Sequence, residues 1–159
     1  MRTAELADML DRRLVRLDLA SRTRPETIRE LAGALAETGH VLDTEAFVQD
    51  VLAREEMGAT GLGQGVAIPH GKSAGVAETT LAIGRTLTPL EWPSLDDQPV
   101  QVVILFAVRE EDADTTHLRL LQKVAILLAS DDFIAELHRA ESPEAVITLI
   151  TTRTKELEQ

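Results

Sequence analysis

Of the four histidines in this sequence, His70 has the most unusual setting. It follows Gly65-Val-Ala-Ile-Pro69 and precedes Gly71-Lys72. That order predicts a short apolar strand delivering the histidine to a loop tip. Pro69 fixes its own φ and removes a backbone donor, and Gly71 leaves no Cβ to block an approaching partner. A neutral imidazole held this way could act as a nucleophile shared between proteins. A turn histidine satisfied by local hydrogen bonds would fit the same spacing.

His117 falls in the first turn of a helix predicted to begin at Thr115 or Thr116. Unpaired N–H groups and the positive end of the helix dipole lie there, which suits an anion and disfavours an imidazolium. A capping or packing histidine is the simpler reading from residues alone. Arg54 closes a helix just before a glycine run. Its planar fork of donors suits phosphate oxygens, although a solvated cation at a helix end would need no further role. His40 follows Gly39 at a helix end and reads as a solvated turn residue. His138, beside Arg139 late in a helix, suits the dipole there.

The elements that must position these residues can be read from periodicity. Leu6, Met9 and Leu10 predict a short helix, and Leu14 to Leu19 a strand. Thr23 to Thr38 is a helix, with Pro25 in its first turn and Thr23 and Glu26 at capping-box spacing. Its stripe is Ile28, Leu31, Ala32 and Leu35, and Gly39 stops it. A helix capped by Asp43 runs to about Glu56, with Ala46, Phe47, Val51 and Leu52 inward. Six of the nine glycines lie between Gly58 and Gly75, so Gly58 to Gly65 is expected to be loop. Val66 to Pro69, Thr80 to Leu87 and Val100 to Val108 are strands. The last is apolar on both faces, as for a central strand covered on both sides, and Leu95 to Pro99 before it is turn chemistry. Three helices close the chain: one to about Ala129 with a stripe of Leu118, Leu121, Val124, Ala125 and Leu128, then Phe133 to Ala140, then Pro143 to Thr151 capped by Ser142. Thr152 to Gln159 are charged, and a frayed tail is expected there. The fold class is α/β, a single domain with a mixed sheet flanked by helices on both faces.

Composition removes several function classes. A net charge of −11 argues against nucleic acid as a partner. With no cysteine, disulfides, thiolate metal sites and a cysteine nucleophile are excluded. The longest apolar run, Val102 to Val108, is far short of a bilayer span, so no membrane insertion is expected. The opening Met-Arg-Thr-Ala-Glu-Leu lacks the apolar stretch of a signal peptide, so a cytoplasmic location is expected. The glycine run lacks the Gly-Lys-Ser/Thr ending of a phosphate loop and the dinucleotide spacing. No tight metal-ligand spacing occurs, and neither a metal nor a cofactor is expected.

The run Arg54-Glu-Glu-Met-Gly-Ala-Thr-Gly-Leu-Gly-Gln-Gly-Val-Ala-Ile-Pro-His70 resembles the signature of the fructose–mannitol enzyme IIA family of the bacterial sugar phosphotransferase system. Leu95-Asp-Asp-Gln-Pro-Val100 leading into an apolar strand, and His117-Leu118 followed by Leu120-Leu121, resemble it too. The similarity extends from about Leu6 to Ile150. It implies a phosphotransferase in which His70 accepts a phosphoryl group from the phosphohistidine of the carrier HPr and passes it to a cysteine of an enzyme IIB. It also implies that His117 is the second active-site histidine and Arg54 the active-site arginine. Gln64 stands where asparagine is frequent, Asp97 where glycine is frequent, and Ala59 where serine is frequent. Short segments such as Leu81-Ala-Ile-Gly-Arg85 are slightly more like fructose-type members. The alternative within the family is the nitrogen-regulatory type, which signals by phosphorylation-dependent docking onto target proteins.

Overall fold

The computed structural model describes residues 6–112 and 116–157. Its centre is β6 (Val100–Arg109), whose side chains point alternately to two hydrophobic cores. Val103, Leu105 and Ala107 enter one core; Val102, Ile104, Phe106 and Val108 enter the other. This follows from the two-residue period of a strand applied to an unbroken apolar run. The antiparallel neighbour β5 (Thr80–Leu90) does the same, with Ala82 on one side and Leu81 and Ile83 on the other.

The sheet is mixed and runs β1-β5-β6-β3-β2. β1 (Val15–Leu19) lies parallel to β5. β3 (Val66–Ala67) lies parallel to β6, and β2 (Gly61–Gly63) lies antiparallel to β3. β4 (His70–Ser73) also lies parallel to β6, further along the same edge. One face is covered by α2 (Arg24–Glu37) and α3 (Thr44–Met57), which bury Ile28, Leu31, Leu35, Phe47, Val48 and Val51. The other is covered by α1 (Leu6–Met9), α4 (Thr116–Leu128), α5 (Asp131–Arg139) and α6 (Pro143–Leu157). Each buried aliphatic side chain contributes about 1.5–3 kcal/mol, so the doubly covered β6 is the main anchor for whatever its edge carries.

Helix starts follow the expected side-chain chemistry. The Thr23 hydroxyl accepts the Glu26 N–H at 3.2 Å, Asp43 accepts that of Ala46 at 3.1 Å, and Ser142 that of Ala145 at 3.1 Å. Some faces and limits differ from expectation. In α4 the buried positions are Leu120, Val124, Leu127 and Leu128, while Leu118 is 55% exposed and Ala125 is exposed. The stripe is thus rotated, because the apolar residues outnumber those one face can bury. In α3, Val48 is buried and Ala46 only half-buried. The glycine run is not all loop, since Gly61–Gly63 pairs as β2. α6 continues past Thr151 to Leu157 and buries Thr154. Thr115 lies outside the described residues, and α4 begins at Thr116.

Candidate functional site

The edge of β6 beside His70 is lined by a strand broken in two. β3 pairs at Val102 and Val103, β4 takes up the ladder again at Phe106, and Ile68-Pro69 forms the interruption. Pro69 has no N–H to give the ladder, yet its carbonyl accepts the Phe106 N–H at 3.0 Å. The Ile68 N–H turns away from β6 and donates to the carbonyl of Thr60, the residue before β2, at 3.1 Å. The Ile68 carbonyl accepts from His70 Nδ1 at 3.3 Å. Every polar backbone group of the break is therefore used, as buried backbone requires.

His70 is accordingly the first residue of a strand and not the tip of a loop. A carbonyl can only accept, so the bond to Ile68 keeps the proton on Nδ1 and leaves the ring lone pair on Nε2. The half-buried ring has a pKa below the ordinary histidine value. Desolvation is the main cause; the bond to Ile68 opposes it, and the positive charge of Arg54 adds to the lowering. The imidazole is thus held neutral near pH 7.

Gly71 has a different purpose from the one its neighbourhood suggests. A Cβ there would sit 2.6 Å from Val51 Cγ2 and 3.1 Å from Phe47 Cε1, on α3. The glycine lets β4 press against the helix, not a partner against the loop. Its register partner Ala107 lies in the same core as Val51, and the partner of His70, Phe106, lies in the opposite one. Arg54 occupies the last turn of α3, half-buried, with Nη1 donating to the Gly58 carbonyl at 2.8 Å.

His117 is the second residue of α4, in its first turn; its side chain lies outside the described residues. His40 is a satisfied turn residue, with Nδ1 2.7 Å from the Thr38 hydroxyl. His138 does more than complement a helix end. Its Nε2 donates to the Gln64 carbonyl at 2.7 Å. Gln64 stands at a φ of 55°, its N–H bonded to Asp96 at 2.9 Å and its side-chain amide to Asp131 at 3.0 Å. The β2–β3 turn is therefore tied to both ends of α5, and a Cβ on Gly65 would lie 2.8 Å from the His138 ring. Asp97 has a φ of 57°, the left-handed region that glycine enters most easily.

Glu55, next to Arg54, is buried and bonded, which the motif alone does not reveal. Its side chain is 1% exposed and receives donors from three segments. The available signal was phase: Glu55 follows Val51 by four residues, on the stripe of Phe47, Val48 and Val51. Among the described residues no group of three or more His, Cys, Asp or Glu could hold a metal ion, and no helix is long and apolar enough to cross a membrane.

Comparison with known proteins extends this picture. The model of the phosphoenolpyruvate-dependent sugar phosphotransferase system EIIA 2 family matches residues 8–152. The chain is 32% identical over 151 residues to the fructose-specific EIIABC component of Bacillus subtilis, covering 95% of this chain but only 24% of that protein. It is 33% identical over 153 residues to the nitrogen regulatory protein of Escherichia coli, covering 94% of this chain and 91% of that protein. The crystal structure of the nitrogen regulatory protein IIA-Ntr from Neisseria meningitidis superposes with a TM-score of 0.82 at 32% identity, over 91% of this chain and 97% of that one.

Proposed function

The chain belongs to the phosphoenolpyruvate-dependent sugar phosphotransferase system EIIA 2 family, and from that premise we propose that it is a phosphocarrier with His70 as the residue phosphorylated. The observation that carries this is the Nδ1–Ile68 bond, which directs the lone pair of a neutral imidazole to Nε2. Nε2 attacks the phosphorus of the HPr phosphohistidine; the new N–P bond forms as the donor N–P bond breaks. The donor ring leaves with that electron pair. His70 keeps its Nδ1 proton, and the positive charge developing on its ring is stabilised by the Ile68 carbonyl. Arg54, whose charge is felt at the ring, balances the phosphoryl oxygens, and His117 at the α4 N-terminus assists onward transfer. Positioning and electrostatics supply most of the rate in such a reaction.

The onward acceptor in this reading is a cysteine of an enzyme IIB, in the cytoplasm, as part of sugar uptake of the fructose–mannitol type. Fructose is proposed as the sugar on the similarity to the fructose-specific component, and the acceptor assay with a fructose-type IIB domain tests it. A second reading has its own support: the nitrogen regulatory relative is matched over 91% of its length. In that reading phosphorylated and unphosphorylated His70 select different target proteins. Phosphorylated protein mixed with a fructose-type IIB domain separates the two. Loss of the adduct with gain on the IIB cysteine supports transport; a stable adduct with phosphorylation-dependent target binding supports regulation.

A further inference from the structure

Glu55 is one residue beyond Arg54, yet it points into the protein and is 4% exposed. Its carboxylate gathers Thr60 Oγ1 on Oε1, Thr60 N–H on Oε2 at 3.4 Å and Trp92 Nε1 on Oε2 at 3.2 Å. Arg24 Nη1 stands 3.5 Å from Oε2, its guanidinium carbon 5.8 Å from the centre of the Trp92 ring. One buried charge thus joins the start of α2, the end of α3, the segment before β2 and the segment after β5. A buried ion pair is a poor source of net stability, because desolvation offsets attraction. Its distinctive product is geometry.

That geometry leads to His70. Thr60, fixed through both its hydroxyl and its N–H, presents its carbonyl to the Ile68 N–H at 3.1 Å. Ile68 lies in the strand break, where Pro69 can donate nothing, so this bond sets where the Ile68 carbonyl lies. That carbonyl is the acceptor for His70 Nδ1. We propose that Glu55 is a positioning residue for His70, fixing the tautomer and orientation of the imidazole through Thr60 and Ile68. The proposal deepens the phosphocarrier reading and rests on it for its effect on rate, but its effect on the ring is independent of any partner. Three of the groups facing the carboxylate, the Thr60 N–H, Trp92 Nε1 and Arg24 Nη1, can only donate, and all three lie on Oε2; an amide that keeps its oxygen there turns its N–H toward the Thr60 hydroxyl, reverses that bond and loses the charge facing Arg24.

The test uses the full chain with Glu55→Gln and, separately, Thr60→Val, which keeps the carboxylate and nearly the shape of the threonine. Long-range 1H–15N spectra of unphosphorylated protein report which ring nitrogen of His70 is protonated, and acceptance from phospho-HPr is timed in parallel. In wild type the Nδ1–H form dominates. We expect both variants to populate the Nε2–H form and to accept the phosphoryl group at least tenfold more slowly, with folded-state circular dichroism retained. A folded Glu55→Gln with the wild-type tautomer and rate would overturn the proposal. Should Glu55→Gln fail to fold, Thr60→Val decides, and an unchanged ring would overturn it equally. Should wild type accept nothing from phospho-HPr, the carrier reading fails while the tautomer comparison still decides the role of Glu55.

Discussion

Replacing Gly71 by alanine separates two explanations for a glycine beside His70. If the glycine clears space for a docking protein, Gly71→Ala leaves stability intact and only slows transfer. The packing predicts otherwise. The added Cβ would meet Val51 Cγ2 at 2.6 Å, Phe47 Cε1 at 3.1 Å and the Val51 backbone N at 3.3 Å. Valine is stiff about χ1, Phe47 and Val51 are both fully buried, and β4 is held on its other edge by β6. None of these can yield cheaply, so the cost is that of overpacking a core, about 1–3 kcal/mol. For a chain of this size that lowers Tm by roughly 3–10 °C. Gly58→Ala is the control, since its Cβ would have only Arg54 Nη1 near it, at 4.0 Å, and the cost should stay within about 0.5 kcal/mol. Urea denaturation measures both. Val51→Ala in the Gly71→Ala background should restore part of the loss, because the two changes share one space. Gly71→Ala with wild-type stability and slowed transfer would refute the packing account and return the glycine to the docking surface.

Arg54→Ala should raise the His70 pKa by removing the positive charge that lowers it, and slow phosphoryl acceptance roughly tenfold to a hundredfold; NMR titration and a timed transfer assay check the two effects. Because burial lowers the His70 pKa, the unfolded chain takes up this proton first on acidification. Its contribution to stability is therefore complete above about pH 6.5, the unfolded value, and is lost as pH falls from there through the lower pKa of the folded state. His70→Phe should flatten that part of the stability profile, seen as a smaller change in denaturation midpoint between pH 7 and 5. Thr23→Ala removes the hydroxyl that accepts the Glu26 N–H and should cost about 1 kcal/mol by thermal or urea melting. Asp97→Gly should match or exceed wild-type stability, while Asp97→Val, forced to a φ of 57°, should lose about 1–2 kcal/mol.

What the sequence made legible follows from how local each signal is. Strand β6 declared itself through an apolar run that no surface strand could carry, and Thr23, Asp43 and Ser142 marked helix starts because an N-cap is a contact within four residues. The stripe of α4 was misphased because Leu118, Leu120 and Leu121 offer more than one apolar face, and only packing against the sheet chooses between them. The site was half legible. The Arg54–His70 run supplied the candidate residues, but Gly71 read as open space and Gly65 as part of a loop, whereas both are places where distant side chains, Val51 and His138, come close. Those contacts lie far apart in sequence, as do the bonds from Trp92 and Arg24 to Glu55, and no short-range pattern encodes them. Asp97 is the converse case: the family resemblance implies glycine at that position, and the positive φ of 57° supplies a physical reason for one.

The central claim is that His70 carries the phosphoryl group. It is tested most directly by incubating the protein with phosphoenolpyruvate, enzyme I and HPr and reading its intact mass, with His70→Ala alongside. The account predicts a single acid-labile phosphoryl adduct on the wild type and none on a folded His70→Ala. An adduct that persists in the variant, or its absence from wild type with active partners, would contradict it.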